Sequence, residues 1–111
     1  MKPDFLTDDQ WLKLNFFVKN TLEHDYSMLI NVTPIKIVTG FAGLDKIEDA
    51  FAIRFFPEES IVEWCEDKIT ADMHRFLHEE NMNNVYRHIT LERNVVGDKI
   101  RYGIIYSGDS P

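Results

Sequence analysis

The spacing of apolar residues changes period along the chain, and each change marks an element. Trp11, Leu14, Val18 and Leu22 recur at helical spacing. Ahead of them, Thr7-Asp8-Asp9-Gln10 has the spacing of a capping box, with Thr7 at the N-cap and Gln10 reaching back from the third helical position. Leu6 and Trp11 stand where a hydrophobic staple closes a helix start, and Asp8 and Asp9 suit the positive end of the helix dipole. Phe16 and Phe17 project to either side of the stripe. The helix is therefore apolar around much of its girth, which predicts burial on more than one side. It is expected to stop near Glu23 to Asp25.

The Ile- and Val-rich segment Tyr26 to Thr39 reads as strand. Pro34 cannot donate to a ladder, so it marks an edge, a bulge or a turn between two short strands. Gly40-Phe41-Ala42-Gly43 reads as a loop and Leu44 to Asp49 as one helical turn. From Ala50 to Phe56 the pattern alternates, with Phe51, Ile53 and Phe55 on one side and Ala52, Arg54 and Phe56 on the other. That is a strand pattern, with an amphipathic helix from Leu44 as its rival. Pro57 ends the strand and suits a first helical turn. Ile61, Cys65, Ile69, Met73, Phe76 and Leu77 then share one helical face as far as Glu80, the strongest periodicity in the chain. The β-branched pair Ile69-Thr70 would tolerate a break there, and Asn81-Met82-Asn83-Asn84 ends the helix.

Val85 to Val96 and Lys99 to Tyr106 flank Gly97-Asp98, a two-residue hairpin turn. With Val96 facing Lys99, Val95 pairs with Ile100, Leu91 with Ile104 and Ile89 with Tyr106, all on one face. Glu92, Asn94, Lys99 and Arg101 occupy the other. These elements sum to a single α+β domain over residues 1–111. An antiparallel sheet of four to five strands, including the C-terminal hairpin, packs against the N-terminal helix and the long central helix.

Composition narrows the class. Of 111 residues, 44% are apolar and 13% aromatic, enough for a core without staples. Cys65 is the one cysteine, so no internal disulfide forms and a reducing compartment is expected. Met1-Lys2-Pro3-Asp4 has no apolar signal core behind it, and no apolar run approaches the length of a membrane span. A soluble, cytoplasmic protein that does not bind membranes is the expectation.

Charge changes the picture more. Glu58, Glu59, Glu63, Glu66, Asp67, Asp72, Glu79 and Glu80 face only Lys68 and Arg75 within the central helix region, and this stretch supplies six of the chain's seven net negative charges. Glu59, Glu63 and Asp67 follow at i, i+4 and i+8 and repel one another by a few tenths of a kcal/mol per pair. A solvated helix face accounts for such a run in part, since the helix dipole favours Glu58 and Glu59. Crowded carboxylates also attract a basic partner and repel nucleic acid. Trp64 points away from the apolar stripe toward the acidic side, the composition of an interface anchor, unless another element covers it. The candidate partner-binding residues are Glu58, Glu59, Glu63, Trp64, Glu66 and Asp67.

Other chemistry is thin. His74 and His78 lie one helical turn apart, a metal-chelating spacing, but no third ligand is near and an exposed polar face explains them as well. Cys65 falls on the buried stripe, where a cysteine is a small hydrophobe. Asp45, Glu48 and Asp49 read as solvated carboxylates. No phosphate loop, nucleophile elbow or dinucleotide fingerprint is present, so no catalytic residue, metal or cofactor is expected. Arg87, Arg93, Lys99 and Arg101 form the basic cluster of the hairpin and would answer the acidic helix within the fold or across a homodimer.

A small, acidic, single-domain chain with Trp64 inside the run Glu58 to Asp67 resembles the bacterial immunity proteins of toxin–immunity pairs, in particular those of contact-dependent growth inhibition systems. The resemblance implies a non-enzymatic protein that binds a basic toxin domain, commonly a nuclease, and covers its active site. The alternative is a small α+β enzyme or ligand-binding domain, dimeric or not, with Phe16, Phe17, Phe41, Phe51, Phe55 and Tyr102 lining an apolar pocket. A third reading, an oligomerisation or regulatory module, rests on the girth of the first helix.

Overall fold

A computed structural model describes residues 1–110, with Phe41 described by its backbone alone. The fold is α+β. In chain order come α1 (Asp8–Phe17), a π-helical turn (Val18–Leu22), α2 (Glu23–Tyr26), β1 (Ile30–Phe41), β2 (Leu44–Phe55), a 3₁₀ turn (Glu59–Ile61), α3 (Val62–Glu79), β3 (Val85–Val96) and β4 (Lys99–Gly108). The strands form one antiparallel sheet in the order β1-β2-β4-β3. Among the described residues, no helix is long and apolar enough to cross a membrane.

The capping box forms as the spacing predicts. The Thr7 hydroxyl accepts from the Gln10 backbone N–H at 3.1 Å, and the Gln10 side chain accepts from the Thr7 N–H at 2.9 Å. Helical structure continues past Phe17 through the π turn to Tyr26, and Ser27 ends it in the left-handed region at φ 50°. At the π turn the Asn20 amide donates to the Phe16 carbonyl at 3.0 Å, while the Glu23 N–H reaches back to Val18. This wider turn keeps Leu14, Val18 and Leu22 all on the core side, each without exposed surface.

Several expectations for the middle of the chain are corrected. The first strand begins at Ile30 and not at Tyr26, and it runs unbroken through Pro34 to Phe41. Pro34 is accommodated because β1 is an edge strand. Leu44 to Asp49 is neither a helical turn nor the start of an amphipathic helix. It belongs to β2, which pairs with β1 as far as the turn at Ala42-Gly43. β4 pairs with β2 only over Phe51–Phe55, so the rest of the β1–β2 hairpin projects as a two-stranded ribbon with Val38, Leu44 and Ile47 exposed.

The C-terminal hairpin forms around Gly97-Asp98, with Gly97 at φ 65° as the tight turn requires. Its register matches expectation from Val96↔Lys99 through Leu91↔Ile104. Beyond that point the expected pair Ile89–Tyr106 is replaced by Arg87↔Tyr106, because a bulge lies between Arg87 and Leu91. The bulge turns Ile89 out into solvent. It also disrupts the ladder of β3, the other edge of the sheet, while Pro34 removes a backbone donor from the unbroken β1, so both edges are protected against strand addition.

Both helices cover the same face of the sheet. Leu14, Val18 and Leu22 meet Cys65, Ile69 and Met73 over Phe51, Ile53, Phe55, Tyr102, Ile104 and Tyr106 in one buried cluster. α1 and α3 run antiparallel: Lys13 lies 3.6 Å from Glu80 at one end, and Tyr26 packs on Trp64 at the other. The girth of α1 is not buried as predicted, since Leu12 and Phe16 remain 69% and 67% exposed. On the uncovered face of the sheet Arg54 donates twice to Glu92, at 2.9 and 3.0 Å, across Gly103 of β4. A Cβ on Gly103 would fall 2.3 Å from the Glu92 Oε1.

The N-terminal segment is tied to the sheet by Asp49. Its carboxylate accepts from Lys36 and from the Asp4 backbone N–H, the latter at 2.8 Å. The Lys36 bond, then the Asp4 bond, hold its pKa below the ordinary value. A depressed folded pKa stabilises fully above the ordinary carboxylate range, near pH 4, and that stability is lost as the pH falls through the folded value. Asp49→Asn is therefore expected to lower the urea midpoint at neutral pH and to shrink the loss of stability on acidification. An unchanged acid limb would show that the tie contributes nothing.

Candidate partner-binding face

α3 buries Cys65, Ile69, Met73, Phe76 and Leu77 and runs without a break at Thr70. Ile61, expected on the buried stripe, lies in the 3₁₀ turn before the helix and is 38% exposed. Burial pushes the Cys65 thiol up in pKa, away from the thiolate form. The opposite side of α3 presents Glu63, Asp67, His74 and His78 to solvent.

The acidic residues divide into two groups. Glu66 pairs with Arg87 of β3. Glu59 accepts from the Tyr102 hydroxyl at 2.7 Å, and Asp72 accepts from Tyr26 at 2.6 Å and from Arg75 at 3.1 Å. Glu80 lies near Lys13. These four carboxylates serve the fold. Glu58, Glu63, Asp67 and Glu79 are exposed and form no ion pair among the described residues. Of the hairpin's basic cluster, Arg87 alone answers the helix among those residues.

Trp64 is 53% exposed. One edge rests on Tyr26, with ring centroids 6.1 Å apart at 68°. Tyr26 is itself held by Asp72, and burial followed by that bond raises its pKa above the ordinary tyrosine value. The indole thus rests against Tyr26 on one side and stays half exposed, on the helix that carries the exposed Glu63 and Asp67. Sequence reasoning placed Trp64 on the acidic side but missed the Tyr26–Asp72 prop. Those two residues are 46 positions apart, and no local spacing signals their contact.

Other candidate chemistry is less developed. His74 and His78 are exposed, and among the described residues no three His, Cys, Asp or Glu side chains converge as a metal would need. His88 Nε2 lies 2.6 Å from the Ser107 hydroxyl, but Ser107 is 1% exposed, which closes its oxygen to a substrate. Phe51, Phe55 and Tyr102 pack in the core, Phe17 stacks on Phe76, Phe16 is exposed, and the side chain of Phe41 lies outside the described residues. A groove of about 540 Å³ follows the seam of α1 and α3, lined by Leu12, Phe16, Phe17 and Phe76 with Asp9 and Glu80 at its rim.

Compared with protein-family models, with curated proteins and with solved structures, the chain finds no match.

Proposed function

We propose that this protein is an inhibitor of the immunity type, which captures a basic protein toxin domain through the N-terminal half of α3 and covers that domain's active site. The toxin of such a pair is commonly a nuclease, whose cationic cleft awaits phosphates; carboxylates presented on a rigid helix would take their place. One observation carries the reading: Trp64 is half exposed and propped by Tyr26, on a helix whose exposed Glu63 and Asp67 make no ion pair among the described residues. A large aromatic held ready in this way costs little ordering on binding and supplies the apolar anchor. Glu58, Glu63 and Asp67 supply long-range attraction, which at low salt carries association toward about 10⁸ M⁻¹s⁻¹. Glu59 and Glu66 act indirectly, holding the helix against Tyr102 and Arg87.

The test uses the product of the gene adjacent to this chain's, which this reading expects to be a basic toxin domain. Glu63→Lys with Asp67→Lys is expected to slow association about tenfold or more at low salt and to flatten its salt dependence, with dissociation little changed. Trp64→Ala is expected to cost about 2 kcal/mol or more of binding, seen as faster dissociation. Both sites are exposed, so the fold is retained in each variant. Binding that survives both changes with unaltered rates would remove α3 from the interface.

A further inference from the structure

Two of the chain's four histidines are engaged in the fold: His24 lies 3.5 Å from Asp25, and His88 lies 2.6 Å from Ser107. The other two, His74 and His78, are exposed, and neither side chain makes a hydrogen bond or ion pair among the described residues. They stand four residues apart on the unbroken α3, so the two rings rise from the same side of the helix, about 5–6 Å apart at Cβ. Their direction is fixed from below. Met73, Phe76 and Leu77 share this turn and are buried in the core, so it cannot roll and carry the rings away. The surroundings attract a cation. From Asp67 to Glu80 the chain carries Asp67, Asp72, Glu79 and Glu80 against Lys68 and Arg75. Arg75, the cation between the two histidines, is drawn to Asp72 at 3.1 Å, and Lys13 of α1 lies 3.6 Å from Glu80.

We propose that His74 and His78 chelate a divalent transition-metal ion of the zinc type, held exchangeably on the surface of α3. Imidazole nitrogen is a preferred donor for such ions, and histidines at i and i+4 are the spacing by which helical zinc sites grip the metal. A structural zinc site draws four ligands from its protein. Here the chain supplies two, in keeping with the lack of a third converging side chain among the described residues. Water completes the sphere, so the ion exchanges, and its outward positions stay open to a ligand from another molecule. Magnesium and calcium are hard ions that take oxygen ligands and gain little from two imidazoles. The pair lies in the C-terminal half of α3 and does not depend on the role proposed for Glu63, Trp64 and Asp67.

Calorimetric titration of the full chain with zinc chloride, in a buffer that does not bind metal, tests it. One ion per chain should bind, and magnesium chloride at the same concentrations should give no comparable signal. Changes outside the ligand set already weaken metal sites about 10- to 100-fold, so His74→Asn and His78→Asn should each cost about tenfold or more in affinity. Both positions are exposed, and the far-ultraviolet circular dichroism spectrum should not change. His24→Asn should bind as wild type does. His78→Asn combined with Arg75→His keeps two imidazoles in the turn and removes a positive charge, but sets the rings at adjacent positions that do not face each other. That variant should not recover the affinity. A wild-type chain that takes up no zinc to about 1 mM, the weak end of specific affinities, would overturn the assignment. So would zinc binding that survives both single changes, recovery in the combined variant, or a magnesium response equal to that of zinc.

Discussion

Phe51→Ala is expected to cost about 3–5 kcal/mol of stability, a large share of the whole for a domain of this size. Phe51 has no exposed surface and sits where three elements meet. Its ring stacks on Tyr106 at 5.1 Å and 12°, takes the edge of Trp11 at 6.1 Å, and lies 6.2 Å from Phe5. Removing it opens a void under α1 and beside the N-terminal segment at once. Neighbouring strands hold the backbone of β2 in place, so the void cannot close by a shift of one element. Thermal melting should show a fall in Tm of roughly 15 °C or more. Val38→Ala, on the exposed ribbon, is the control and should stay within about 0.5 kcal/mol of wild type. A Phe51→Ala protein that melts within a few degrees of wild type would mean that the core is not organised around this ring.

The second large effect concerns the Arg54–Glu92 pair. Removing one member of a buried ion pair costs about 3–5 kcal/mol, because the other is left uncompensated. Here the side chains are 19% and 18% exposed, so water relieves part of that loss, and about 2–3 kcal/mol is expected for Arg54→Ala or Glu92→Ala. Arg54→Met with Glu92→Leu should cost much less than the two single losses combined, since apolar groups of similar shape need no partner. Gly103→Ala should act like a single loss, because its methyl group would occupy the space of the Glu92 carboxylate. Urea unfolding of wild type, Arg54→Met, Glu92→Leu and the double variant forms a cycle. Additive losses would show that the pair is bridged in geometry only.

Legibility followed the range of the interactions involved. The capping box was readable because Thr7 and Gln10 are three residues apart, and the α3 stripe because its period is set within the helix. The hairpin register was readable outward from Gly97-Asp98, since a two-residue turn dictates it, and it failed at the bulge before Leu91, which no local pattern announces. Leu44 to Asp49 was misread for a physical reason. A ribbon wet on both faces has no need to alternate, and Leu44 and Ile47 among charges have the spacing of a helix. α1 was read as buried on more than one side because it is apolar around much of its girth, yet Leu12 and Phe16 stay exposed on its outer side. At the acidic helix, the direction of Trp64 could be read from the wheel. The division of carboxylates into bonded and free could not, because Arg87 and Tyr102 reach Glu66 and Glu59 from 21 and 43 residues away.

The ribbon beyond β4 has a consequence for how the molecule opens. Its outer rungs are held by a single neighbouring strand and bury no core side chain, so they separate at a small fraction of the free energy that unfolds the whole. Opening there leaves the packed layer between helices and sheet untouched. The loop at its tip is accordingly where this chain can be lengthened, shortened or rewritten with the least penalty to the rest of the domain.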